Sequence, residues 1–103
     1  MPPDLSLVAS LLSPQGRLLR SWNLTGGMSA QMTAMEIETP DGNRTCCVLR
    51  CPGEAQLAEN PATIENEYRV LQLGQALGLP MPAPLRLLLP SEVLPTACLA
   101  MEY

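Results

Sequence analysis

Arg50 and Glu67 are the residues of this chain whose types and positions could do chemistry together. Arg50 closes the apolar run Cys46-Cys47-Val48-Leu49. A guanidinium there must reach solvent, a carboxylate or a ligand, because a buried charge without a partner is costly. Glu67 sits in a helical pattern, three residues after Ile64 and four before Leu71. It therefore shares the apolar stripe of Ile64, Tyr68 and Leu71, and turns toward whatever that stripe packs on. Glu65 falls about 100° from Ile64, on a polar face with Arg69 and Gln72. An inward carboxylate needs a cation, and Arg50 is the candidate. An arginine fork held in this way keeps further N–H groups that could reach a ligand. The same pair could be a plain tie between helix and sheet, or both heads could snorkel outward. These residues alone leave the choice open.

A second feature of this kind is Gly26-Gly27, within the stretch SWNLTGGMSAQM. It reads either as a tight turn between two extended segments or as a bare loop. In the second case the backbone N–H groups could approach a phosphate.

Other chemistry is excluded by composition. The chain has no histidine, which removes the commonest general base and zinc ligand. It has no lysine either, so all six positive side chains are arginines, scattered along a sequence of net charge −4. That distribution argues against a nucleic-acid partner. The four cysteines, Cys46, Cys47, Cys51 and Cys98, include no C-x-x-C pair. They read as reduced, mostly buried thiols of a cytoplasmic protein rather than a zinc site or disulfide framework. The apolar stretch 5–12 is too short to span a bilayer and follows Asp4 rather than a basic segment, so neither membrane nor secretory signal is expected.

The elements that must position these residues follow from periodicity. Leu5, Val8, Ala9 and Leu12 recur at helical spacing, with Asp4 as the N-cap and Ser13-Pro14-Gln15-Gly16 as the stop. Residues 17–24 and 29–38 read as strands. Thr39-Pro40-Asp41-Gly42-Asn43 is the strongest turn signal and predicts a hairpin into a third strand at 44–51. Residues 54–59 read as a polar loop. Asn60-Pro61 then opens a helix as N-cap and first residue, and the helix runs to about Leu77 with Gly78 at its left-handed stop. Prolines hold 79–82 extended. Strands at 84–89 and 97–103 complete the order α-β-β-β-α-β-β. The fold class is α+β: a five-stranded antiparallel sheet with one packed helix plus a short N-terminal helix. Low aromatic content, with Trp22, Tyr68 and Tyr103 only, leaves the core to Leu, Val, Met and Ala. The apolar strand at the end of the chain suggests a piece of a longer protein.

The segments LTGGMSAQMTAMEIETPDGNRTCCVLRCPG, ENEYRVLQLGQALGLPMPAPLRL and ACLAMEY, taken in order, resemble the N-terminal lobe of the aminoglycoside phosphotransferase family, which has a protein-kinase-like fold. The resemblance covers about residues 20–103. It rests on a glycine loop, a Val-Leu-Arg-x-Pro strand end, a Glu-Tyr-x-x-Leu helix, a Gly-Leu-Pro-x-Pro linker and a Met-Glu-Tyr hinge. It implies that Gly26, Gly27 and Ser29 form a loop over nucleotide phosphates, and that Arg50 contacts phosphate and is oriented by Glu67. Val48 would lie against adenine, Met101 at the back of the pocket, and the backbone around Glu102 and Tyr103 would be the hinge. Ala30 departs from the pattern, standing where the family usually has Asn.

The function implied is that of an ATP- or GTP-binding lobe of a small-molecule phosphotransferase acting with Mg²⁺. The catalytic residues, most metal ligands and the site for the hydroxyl acceptor would belong to a second lobe. Residues 1–103 alone would be inactive and would expose apolar surface open to self-association. A kinase-like binding or regulatory module that transfers no phosphate, and a structural α+β domain, are the alternative readings.

Overall fold

Thr39-Pro40-Asp41-Gly42-Asn43 folds back on itself and fixes the register around it. In the computed structural model, which describes residues 5–24, 30–90, 94 and 96–103, the Gly42 N–H donates to the Thr39 carbonyl at 2.9 Å. The Thr39 N–H donates to the Asn43 carbonyl at 2.8 Å. Gly42 adopts φ +86°, a conformation that costs a residue with a Cβ. The turn joins β2 (Ala30–Glu38) to β3 (Arg44–Pro52), and the ladder beyond it pairs Ala34 with Val48 and Met32 with Arg50. β1 (Arg17–Asn23) pairs with β2, and its pairing reaches Leu24, whose N–H donates to the Met32 carbonyl at 2.9 Å.

The other edge comes from residues distant in the chain. β5 (Cys98–Glu102) pairs with β3, and β4 (Pro84–Leu88) pairs with β5, so the antiparallel sheet runs β1-β2-β3-β5-β4. This is the α+β, five-stranded antiparallel architecture expected from the pattern.

Alternation along the central strands divides the core in two. Cys47 and Leu49 of β3, Met35 and Ile37 of β2, and Cys98 of β5 face one side. There they meet Val8 and Ala9 of α1 (Leu5–Leu12), the helix given by its apolar spacing. Val48, Leu99 and Met101 face the other side and pack on Ile64 of α3 (Thr63–Ala76), with Tyr68 and Leu71 partly buried beside them. Both faces of β3 and β5 are covered, so CCVL and CLAM read as continuous apolar runs. The proposed cap Asp4 lies outside the described residues.

Two expectations need correction. Residues 54–59 form α2 (Glu54–Glu59) rather than a loop; the Leu57 N–H donates to the Gly53 carbonyl at 3.0 Å. The segment mixes Glu and Gln with Ala and Leu, and every residue in it is a good helix former. The main helix begins at Thr63 rather than Pro61. The Asn60 side chain accepts the Ala62 N–H at 3.1 Å and its carbonyl accepts the Thr63 N–H at 3.1 Å. Asn60 thus closes a separate turn just ahead of the helix. The far end is as expected: Gly78 takes φ +72°, its N–H donates to Gln75, and the Leu79 N–H donates to Gly74, the paired bonds of a Schellman stop.

Candidate functional site

The register that sets Met32, Arg50 and Leu99 side by side places the Arg50 guanidinium under α3. Glu67, on the inward stripe of α3, meets it. Arg50 Nε donates to Glu67 Oε2 at 2.7 Å and Nη2 donates to Oε1 at 3.0 Å. This is a bidentate pair, with the side chains 22% and 32% exposed. Five N–H donors belong to a guanidinium, and Glu67 takes two. Among the described residues its one further contact is from Nη1 to the Met32 sulfur at 3.7 Å, a weak acceptor. Among the described residues no oxygen other than those of Glu67 accepts from this guanidinium.

A ligand has a place to enter. A cavity of about 390 Å³ lies between α3 and the sheet. Met32, Val70, Leu71, Leu99 and Met101 supply its apolar surfaces. Arg50, Glu67, Thr63 and Asn66 supply the polar ones. Apolar walls with a few converging polar groups are the usual character of a small-molecule site.

Other described arginines are differently engaged. Arg17 and Arg20 pair with Glu38 and Glu36 on the outer hairpin. Arg86 donates to the Leu11 carbonyl at the end of α1.

The remaining expected site residues are placed as follows. Met101 lines the cavity with Arg50 and Glu67. Val48 pairs with Met101 across the ladder but is only 6% exposed, and it stands in the buried cluster rather than at the cavity. The Glu102 N–H is committed to the Ala83 carbonyl at 2.9 Å, and its carboxylate accepts the Ala83 N–H at 3.1 Å. Tyr103 meets Trp22 edge to face, with ring centroids 5.9 Å apart. Trp22 pairs with Ala34, and Ala34 with Val48, so the two rings meet across a row running from β1 toward β5. Ala34 is fully buried in that row. Gly26, Gly27 and Ser29 lie outside the described residues.

Sequence reasoning missed Met32, Thr63, Asn66 and Val70, although signals for them existed. Met32 follows from counting outward from the hairpin turn. Thr63, Asn66 and Val70 recur at i, i+3 and i+7, one stripe round from Ile64 and Tyr68. It also missed the ring pair, and it placed Glu65 on a polar face. Glu65 is half-buried, with Oε1 enclosed and without a hydrogen-bond partner among the described residues.

Among the described residues no group of three metal-ligating side chains converges. No helix among them is long and apolar enough to cross a membrane. No family model, curated protein or solved structure matches the chain.

Proposed function

We propose that this chain is the nucleotide-binding lobe of a cytoplasmic small-molecule phosphotransferase, in which Arg50 engages phosphate and Glu67 holds it in position. The observation that carries this reading is the bidentate Arg50–Glu67 pair at the wall of an apolar cavity. The order of the parts supports it. A glycine-containing segment follows the first strand, a cation ends the third, an inward carboxylate lies on the helix, and the last strand carries Met-Glu-Tyr.

In this reading the residues of the chain bind and orient. Arg50 offers its spare N–H groups to the phosphate oxygens, and the rigid fork loses little freedom in doing so. Glu67 fixes the direction of the fork. Met101 and Leu99 give the base or ribose an apolar floor, which excludes water and strengthens the charge interactions beside it. Val48 is buried with Ile64, Leu99 and Met101, so a base lying against it would have to enter that cluster. Mg²⁺, when bound, would neutralise phosphate charge. The phosphates and residues outside this chain would hold it, together with the hydroxyl acceptor and the groups that move the γ-phosphoryl.

Trp22 is the only tryptophan and gives a direct test. Its fluorescence, titrated with Mg·ATP and Mg·GTP, should change saturably in the wild type and weaken at least tenfold in Arg50→Met. A saturable response in both proteins alike would remove Arg50 from the site. The second reading, a nucleotide-binding module that transfers no phosphate, is favoured by Ala30. Binding by a longer form of the protein with no phosphoryl transfer to any alcohol would establish it. No binding at all, with Arg50 and Glu67 variants losing stability only, would leave a structural domain.

A further inference from the structure

The β3–β5 ladder ends with Arg50 opposite Leu99, and the same register continued by one residue sets Cys51 across from Cys98. Both belong to the α1 side of the sheet, where Cys98 is a core residue and Cys51 packs against that core. Their sulfurs are 2.9 Å apart, and both are free thiols. Directly opposed residues on antiparallel strands have Cα atoms about 4.5–5.5 Å apart, within the span a disulfide bridges. The pair lies across the sheet from the Arg50 cavity, and the proposed function uses neither cysteine. The other two thiols lack this relation: Cys46 and Cys47 are neighbours on one strand and point to opposite faces.

We propose that Cys51 and Cys98 are a modification site, an oxidisable dithiol that closes to a cross-strand disulfide by exchange with a small-molecule disulfide. Cys51 is half-buried and Cys98 is only 1% exposed, so Cys51 carries the sulfur that a small disulfide reaches. It loses its proton, and its sulfur attacks the small disulfide, forming a mixed disulfide and releasing one small thiol. The Cys98 sulfur, already adjacent, loses its proton and attacks the Cys51 sulfur, releasing the second small thiol. In total two protein thiols are oxidised to one disulfide, and one small disulfide is reduced to two thiols. The bond would tie β3 to β5 beside Arg50 and Leu99. It would join residues 47 positions apart, which restricts the unfolded chain.

The arginine positions make the test simple. Trypsin separates a peptide carrying Cys46 and Cys47 (45–50) from one carrying Cys51 (51–69) and one carrying Cys98 (87–103). The native chain is incubated with oxidised glutathione, its remaining thiols are alkylated, and it is digested without reduction. The expected result is a linked 51–69/87–103 pair with Cys46 and Cys47 alkylated. The melting temperature should rise on the order of 10 °C and return on reduction. In Cys98→Ser, Cys51 should stop at the glutathione adduct. A wild-type protein that carries glutathione on Cys51 while Cys98 is alkylated, or that links any other pair, would overturn the proposal.

Discussion

Replacing Arg50 with Met keeps the length and apolar character of the stem while deleting the fork, and Glu67→Leu deletes its partner. The cost can be bracketed from the geometry. Exposed ion pairs contribute about 0.2–1 kcal/mol, and breaking a fully buried pair costs about 3–5 kcal/mol. Here the side chains are 22% and 32% exposed and both hydrogen bonds are well formed, so each single variant should lose about 1.5–2.5 kcal/mol. For a domain of this size that is a fall of roughly 6–20 °C in melting temperature. The double variant puts two apolar chains where the ions were, against Met32, Leu71 and Leu99, and should recover most of the loss. Urea unfolding of all four proteins gives the coupling energy, expected at about 1.5 kcal/mol or more. Single variants within about 0.5 kcal/mol of wild type, or a double variant equal to the sum of the singles, would refute the reasoning. The pair would then be a solvent-screened contact, unable to hold the fork for a ligand.

Three further outcomes follow from the same structure. Gly78→Ala forces a Cβ into φ +72° and should cost about 1 kcal/mol by urea unfolding, whereas the exposed Gln75→Ala should change stability little. The Thr39 hydroxyl, then the Asn43 backbone and side chain, hold the Asp41 carboxyl below its usual value. The ionised group favours the folded turn, so its contribution is present above about pH 3.9 and is lost as pH falls through the folded-state value. Melting curves between pH 2 and 6 should show a smaller acid loss for Asp41→Asn. Burial, reinforced by Cys46 beside it, pushes the Cys47 thiol up to about 11, so the folded chain keeps a proton that the unfolded chain releases near pH 9. Stability should therefore fall as pH rises from 9 to 11, and Cys47→Ala should flatten that decline.

How far the sequence carries depends on how far apart the contacting residues are. The turn at 39–43 is local, and once it is recognised the Met32–Arg50 register follows by counting. The Arg50–Glu67 meeting was also readable, because strand alternation and helix periodicity each named one inward charge. Polarity alone misassigned 54–59, where half of the residues are polar but all six are helix-forming. The β3–β5 pairing is different in kind. It joins strands separated by two helices and β4, and no local rule fixes it. The Cys51–Cys98 contact and the Trp22–Tyr103 ring pair both depend on that pairing, which is why neither was foreseen. The phosphate role of Gly26, Gly27 and Ser29 rests on the family resemblance.

The central claim is that the Arg50 guanidinium meets a nucleotide phosphate. With six arginines in the chain, the Nε–H resonances of a ¹⁵N-labelled sample can be assigned one by one by substitution. On titration with Mg·ATP the Arg50 Nε–H signal should move saturably, while those of Arg17 and Arg44 stay in place. An Arg50 signal that stays fixed through a titration reaching several millimolar nucleotide would contradict the account.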